Sequence, residues 1–379
     1  MTTVAVICEY DPFHRGHRLQ IEALRAVFGA DATVVSLMSG DLVQRGRLAL
    51  YPKHVRAEAA LACGSDLVLE LPAPYACSSA EAFARGAVGI LHGLGGIDVL
   101  CFGSESGDMP SLSRAAELMA SPAYLQALRE APEEESHMRN AEAVFRSLGG
   151  EDFPTLPNDI LGVEYLSALS ACQATITPFT YRREAGYSAS EARRVLTAGG
   201  DASSLLPEAA SAIFAKTSLT PAEPYDAIAL HTLRSTSVHI LEAYYAMNGG
   251  VAGLLKRGAE EAATVEELIA LCTNRKFTAA RLRRGILSAV LSYTPEQVYA
   301  PPRFTRLLAA NEKGRAYLSA VRKTASLPIV TKPADGLALE GEAGRQFEAS
   351  LRSDKLMALV RREPTSRCFR RGAIVRTTP

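Results

Sequence analysis

Four short apolar runs in the first hundred or so residues are each followed by a polar turn and then by apolar positions at helical spacing. Val4, Ala5, Val6, Ile7 and Cys8 lead through EYDPFHRGH into LQIEALRAVF. Residues 32–38 lead through SGDLVQRG into KHVRAEAALACG, whose last residue, Gly64, suits the position just past a helix end. DLVLELP stops at Pro72 before SSAEAFARGAVGILHGLG, which opens with serine N-cap candidates and a glutamate close behind. IDVLCFG runs to Gly103 and gives way to SESGD. Residues 111–150 carry helical spacing, and residues 174–183, ATITPFTYRR, form the last expected strand. Strands alternating with helices in this way predict βαβ units, and so an α/β fold with a doubly wound parallel sheet covered on both faces.

From Pro207 onward no alternating strand pattern is expected. YDAIALHTLR and VHILEAYYAM have helical spacing, the second ended by Asn248-Gly249-Gly250, and TVEELIALC begins with a capping-box pair, Thr264 and Glu267. The chain therefore reads as an α/β domain over residues 1–200 and a mainly helical domain over residues 201–379.

With 41 basic and 41 acidic residues the 379-residue chain is neutral, so no global field selects a polyanion or an anionic membrane. The charge is segregated, however. Residues 273–291 hold Arg275, Lys276, Arg281, Arg283 and Arg284 with no acid. Arg303, Arg306, Lys313, Arg315, Arg322 and Lys323 face Glu312 alone, and residues 351–376 carry eight Lys or Arg against two acids. The compensating acids lie earlier, for example in residues 133–136. A basic second half fits binding of nucleic-acid phosphates, with a salt-bridged helical surface as the other account. The seven cysteines are scattered and none falls in C-x-x-C, which suggests neither a zinc site nor a disulfide framework. The start, MTTVAVICEY, lacks a charged leader, and no apolar run reaches the roughly 18 residues of a membrane span. A cytoplasmic protein with no membrane partner is expected.

Candidate chemistry gathers just after the strands, at the carboxyl edge where open α/β sheets bind ligands. His14 and His17 flank a glycine turn at a helix start, where ring N–H donors can offset charge on a pentacoordinate phosphorus. Their alternative is a pair of loop histidines with local hydrogen bonds. Ser39, Gly40, Gln44 and Arg45 occupy a strand-end loop that could touch an acyl group, a nucleotide or an RNA phosphate, or serve as an ordinary connection. Lys53 and Arg56 follow on the next helix, as RNA contacts or as a solvated face. Asn158 and Asp159 precede an amphipathic run as N-cap candidates, with adenine or ribose binding the alternative for Asn158. Arg182 and Arg183 end the last strand, and Ser188 to Arg193 reads as a serine-rich helix start with an arginine fork behind it. No convincing carboxylate pair for magnesium is visible; Glu9, Asp11 and Asp41 are the candidates.

EYDPFHRGH, LMSGDLVQRG, DLVLELP, AEAFARGAVGILHGLG, CFGSESGD and PNDILGVEYL occur in this order, followed by YDAIALHTLR, TNRKFTAARLRRGILSAVL and RLLAANEKGRAYL. Together they resemble the bacterial tRNA(Met) cytidine acetate ligases, of the HxGH nucleotidyltransferase superfamily, over nearly the whole chain. The resemblance implies a nucleotidyltransferase-type, Rossmann-like fold. It also implies an enzyme that activates acetate with ATP, releasing pyrophosphate, and acetylates N4 of the wobble cytidine of elongator tRNA(Met). Magnesium would escort the nucleotide.

By this resemblance His14 and His17 stabilise the α-phosphate, and ATP is bound by the segment around them: Ile7, Cys8, Glu9, Tyr10, Asp11, Pro12, Phe13, Arg15, Gly16, Arg18, Leu19 and Gln20. Gly103, Asn158, either Arg182 or Arg183, and Arg193 complete that site. The tRNA and acyl substrate fall to Ser39, Gly40, Gln44, Arg45, Lys53, Arg56, Arg275, Lys276, Arg281 and Arg284. The sequence departs from the family in having Asp11 for the usual Asn and in a shortened loop before Ser188. Two rivals remain: a small-molecule adenylyltransferase, and a non-catalytic RNA-binding protein on a degenerate nucleotidyltransferase scaffold.

Overall fold

The computed structural model describes residues 1–132, 137–183 and 186–376; the acidic residues 133–136 and the end of the basic tail lie outside the described residues. The expected strands form as β1 (Thr3–Cys8), β2 (Thr33–Ser39), β5 (Leu67–Leu71), β6 (Val99–Ser104) and β7 (Thr177–Arg182), while the expected loop after β2 folds into a short hairpin of β3 (Leu42–Val43) and β4 (Arg47–Leu48). Three more follow: β8 (Thr305–Ala310), β9 (Ile329–Val330) and β10 (Ile374–Val375). The main sheet runs β10-β8-β5-β2-β1-β6-β7, with β9 beside β8. From β5 to β7 all neighbours are parallel, with Ile7 opposite Leu37 and Ser104 opposite Arg182. The chain winds outward from β1 to β2 and β5, then returns to place β6 on the other side. The switch between β1 and β6 puts the turn after β1 beside Gly103 and Ser104.

The expectation that no strand follows Pro207 is corrected, because β8 joins the sheet antiparallel to β5, pairing Arg306 with Glu70. Residues 305–310, TRLLAA, are too short to reveal strand or helix by periodicity. Their partner decides the conformation. The sheet thus extends beyond the first 200 residues of the chain. Its two faces follow the strand alternation: Val4, Val6, Val34 and Val68 pack with Ile21, Leu24, Ala57 and Ala60. Val35, Leu37, Leu69 and Leu100 pack with Phe83, Ala87 and Leu91 on the Ala80–Leu94 helix. A separate helical core holds Leu233, Leu255, Leu268, Leu282 and Ile286. Tyr244 and Tyr245 lie outside the helix expected over residues 238–247, which ends at Glu242, and Gly250 instead begins the Val251–Glu261 helix.

A buried ion cluster joins the two halves. Lys53 Nζ lies 2.9 Å from Glu70 Oε1 and 2.5 Å from Asp354 Oδ1. Arg306 Nε lies 2.6 Å from Glu70 Oε2, and its Nη1 2.7 Å from Asp354 Oδ2. Asp41 accepts from the Lys53 backbone and lies 4.0 Å from Nζ. Gly40 is required here, since a Cβ would sit 2.3 Å from Glu70 Oε1. Beside the cluster Arg56, fully buried, donates to the carbonyls of Glu9, Ser39, Gly40 and Tyr51, tying the loops after β1 and β2 together.

These positions correct four substrate assignments and one metal candidate. Ser39, Gly40, Lys53 and Arg56 are interior groups, neither RNA contacts nor a solvated face, and Asp41 is committed to the cluster. Burial alone would raise Asp354, but Arg306 and Lys53 hold it well below the ordinary carboxylate range. A carboxylate depressed in the folded state contributes stability above its unfolded pKa and loses it as pH falls through and below about 4. Asp354→Asn should lower the unfolding free energy by about 3–5 kcal/mol at neutral pH, because it leaves two buried cations short of a partner. Urea unfolding of both proteins from pH 7 to pH 3 tests this: the gap should narrow toward acid, and a loss under about 1 kcal/mol at neutral pH would contradict it.

Candidate active site

Hydrogen bonding fixes the tautomers of the two histidines. His14 caps the Arg15–Phe28 helix, its Nδ1 accepting from the Gly16 N–H at 3.1 Å, and His17 Nδ1 accepts from the His14 N–H at 3.2 Å. Each neutral ring therefore carries its proton on Nε2. The rings stack at 3.7 Å, and Tyr10 and Phe13 contact His17 edge-on or tilted. Tyr10 sits at φ +48°, a left-handed conformation costly for a tyrosine, secured by the Ser36 hydroxyl 3.0 Å from its own. Burial lowers His14 to about 4, with Arg183 and Arg193 pushing the same way. Burial also lowers His17 well below the ordinary imidazole value, helped by His14 and Arg183. Both are neutral N–H donors at physiological pH. The first-turn backbone donors are already taken, Arg15 by the Leu205 carbonyl and His17 by that of His14. The imidazoles, not the helix amides, are what this turn offers a ligand.

They open into a cleft of about 1200 Å³ between the sheet edge and the helical half. Ile7, Cys8, Glu9, Tyr10, Asp11, Gly16, Leu19, Gln20, Gly103, Asn158, Arg182, Arg183 and Arg193 line it with the histidines. Of the expected nucleotide residues, four do not face it. Pro12 and Phe13 are buried beneath the turn, Arg15 reaches the Ser203 carbonyl, and Arg18 pairs with Glu22 at 2.7 Å. Of the two arginines ending β7, Arg183 is the one whose charge bears on both histidines. It crosses Gly103, where a Cβ would meet its Cγ at 2.8 Å. Arg193 donates to the Asp11 carbonyl at 2.6 Å and to Ser190 at 2.9 Å, joining the Ala189–Thr197 helix to the first turn.

Asn158 is not an N-cap; the Pro157–Ala171 helix begins one residue before it. Glu105 supplies the missing acceptor, taking the Asn158 and Asp159 backbone N–H groups at 3.0 and 3.1 Å and the Asn158 amide at 2.6 Å. Asp159 returns the contact to the Glu105 N–H at 3.0 Å. Glu105 was visible in SESGD only as a loop residue, because its partner lies 53 positions away.

The QRG turn of the β3–β4 hairpin faces the cleft through Gln44 and Arg45. Gln44 donates from its backbone to Glu9 at 2.7 Å and from its side chain to the Ser78 carbonyl at 3.2 Å. Gly46, at φ +76°, lets the turn meet the backbone of Arg283 and Arg284, where a Cβ would approach within 2.5 Å. Lys276, Arg281 and Arg284 line the cleft from the opposite wall, and Arg275 is exposed nearby in sequence. Much of the remaining basic charge is spent internally. Arg306 lies in the ion cluster, while Arg303, Arg361 and Arg376 pair with Glu342, Glu363 and Glu58. Cleft residues that sequence reasoning missed include Glu164, Tyr244, Tyr245 and Tyr299. Gly16 holds the design together, because a Cβ there would lie 2.9 Å from His14 Cε1 and 3.1 Å from Tyr187 Cβ. Gly16→Ala should therefore displace His14 and weaken ATP binding at least tenfold by calorimetry; unchanged affinity would refute this role.

Residues 1–371 match the family model described as HIGH Nucleotidyl Transferase. A tRNA(Met) cytidine acetate ligase from Syntrophotalea carbinolica is 38% identical over 358 residues, covering 87% of this chain and 85% of that one. One from Caldanaerobacter subterraneus subsp. tengcongensis is 33% identical with 93% of each chain covered. The crystal structure of Thermotoga maritima TmcAL bound with alpha-thio ATP superposes with a TM-score of 0.91 at 26% identity, covering 100% of both chains. The chain belongs to the HIGH nucleotidyl transferase family and, within it, to the tRNA(Met) cytidine acetate ligases.

Proposed function

We propose that this protein activates acetate with ATP as acetyl-adenylate and transfers the acetyl group to N4 of the wobble cytidine of elongator tRNA(Met). The observation that carries this reading is the single cleft that joins the His14–His17 turn to a basic wall on the helical half. An acetate oxygen attacks the α-phosphorus, the bond to the β-phosphate bridging oxygen breaks, and pyrophosphate leaves. His14 and His17 Nε2–H groups, with Arg183 and Arg193, offset the negative charge that builds on the phosphoryl oxygens. Asn158, oriented by Glu105, lines the same cleft, where its amide would meet the nucleoside. Lys276, Arg281 and Arg284, with Arg275 and Arg45 at the margin, supply the positive surface for tRNA.

Among the described residues no group of three His, Cys, Asp or Glu side chains is arranged to hold a metal. A magnesium ion travelling with ATP would take its oxygens chiefly from the phosphates. Glu9 and Asp11 face the cleft, though each already accepts from a backbone N–H, of Gln44 and Leu50 respectively. Among the described residues no helix is long and apolar enough to cross a membrane.

Incubation with ATP, labelled acetate and tRNA, omitting each in turn, tests the reading. Label in tRNA cytidine that needs all three supports it. Adenylylation of a small acceptor without tRNA supports the adenylyltransferase rival, and tRNA retention without ATP turnover supports the non-catalytic one. His17→Ala should abolish acetate-dependent exchange of pyrophosphate into ATP while changing tRNA affinity less than about threefold. Arg281→Ala should do the reverse, weakening tRNA binding and flattening its salt dependence, because it removes a phosphate contact. The neutral histidines give a further expectation. If imidazolium were required, exchange kcat/KM for ATP would fall as pH rises through 6.5; donors already neutral above about pH 4 predict no such fall between pH 6 and 8.

A further inference from the structure

The cleft continues past the nucleotide turn to a stretch of the basic wall where Arg284 meets tyrosines in place of further cations. Tyr299 is 41% exposed and presents a ring to the cleft, while Tyr245 behind it is buried, the two rings meeting edge-on at 6.0 Å. Tyr245 is fixed in place by the Ser79 N–H, which donates to its hydroxyl at 3.0 Å. Arg284 lies against these tyrosines. It is half-buried, its Nε is enclosed without a hydrogen-bond partner, and among the described residues no carboxylate is paired with it. Glu164, on the Pro157–Ala171 helix, lines the same cleft and is half-buried. Among the described residues nothing donates a hydrogen bond to its carboxylate.

A phosphate would be repelled by Glu164 and by Glu81, which also lines this part of the cleft. A planar ring bearing an amine donor at one end of an edge and a carbonyl acceptor at the other would satisfy both the carboxylate and the guanidinium, and Tyr299 could stack upon it. Cytosine is such a ring. We propose that Glu164, Arg284, Tyr245 and Tyr299 form a subsite for the unstacked acceptor cytosine, with Glu164 accepting from N4, Arg284 donating to O2 and Tyr299 stacking on the base. This deepens the ligase reading and rests on it.

Glu164 then acts in the second chemical step. The N4 lone pair attacks the acetyl carbonyl carbon, the bond from that carbon to the phosphate oxygen breaks, and AMP leaves with the bonding pair. The N4 proton passes to the Glu164 carboxylate and on to solvent. Burial pushes Glu164 up to about 7, and Glu81 from the Ala80–Leu94 helix adds to the shift. Arg85, on that same helix, pairs with Glu81 at 3.5 Å. Tyr124 stands close enough for Glu164 to raise its own phenol, and Arg114 and Glu117 on the packed Met109–Ala120 helix are exposed. A carboxylate with a pKa near neutrality is matched to this proton transfer.

The test separates the two steps in the full-length protein. Glu164→Gln should slow single-turnover acetyl transfer to tRNA by about a hundredfold or more. Acetate-dependent exchange of pyrophosphate into ATP should stay within about twofold, which also shows that the variant folds. The wild-type transfer rate should rise with pH through about 7 and level off, a limb that Glu164→Gln loses and Glu164→Asp partly restores. Tyr299→Leu should weaken transfer about tenfold, as expected for loss of one stacked base, while Tyr299→Phe should not. Unchanged transfer in Glu164→Gln would overturn the proposal, as would exchange falling in step with it. If Arg284→Lys raised the KM for acetate in the exchange assay and spared transfer, the arginine would be a carboxylate site and the base assignment would fall. Absence of both exchange and transfer in the wild type would instead refute the ligase reading itself.

Discussion

Two buried cations and their carboxylates hold this molecule in one piece. Lys53 and Arg306 share Glu70 and Asp354, so a helix and a strand from the first half are bound to a strand and a helix from the second. Such a cluster is an expensive way to gain stability, since each ion leaves water. Its effect is positional. The antiparallel β5–β8 pair brings the second half of the chain onto the sheet, and the elements on either side of β8 in sequence are thereby placed relative to its carboxyl edge. The cleft exists because the two halves cannot drift apart.

The same economy of position governs the chemistry. His14 and His17 are folded into the capping of the helix they begin, which spends both Nδ1 atoms and leaves both Nε2–H groups free. Burial keeps them uncharged, so the positive charge comes from Arg183 and Arg193 and the directional donors from the imidazoles. Arg56, which has the composition of a substrate contact, instead ties four carbonyls beneath the turn. In this fold an arginine without a carboxylate partner has two meanings, and location separates them: Arg56 meets only carbonyls, whereas Arg284 meets a cavity.

Neutral net charge conceals two populations of basic side chains. One pairs with acids elsewhere in the chain, as Arg303, Arg306, Arg361 and Arg376 do. The other, including Lys276, Arg281 and Arg284, faces the cleft. Counting charge along the sequence merges them, because the acids that neutralise the first group lie up to 318 residues away.

Periodicity and turn chemistry by themselves determined the parallel strands β1, β2, β5, β6 and β7, the helix ends at Gly64 and Ser79, and the glycine turn that carries His14 and His17. These are local properties, carried by spacing within about 20 residues. Only the tertiary structure decided the rest. It placed β8 in the sheet, buried Lys53, Arg56 and Ser39, chose Arg183 over Arg182 beside the histidines, and turned Asn158 from a cap into a group held by Glu105. It also brought Glu164 and Tyr299 into one cleft. Each of these depends on a partner distant in the chain, and a residue's type says what it can bond to but not which partner the fold will bring.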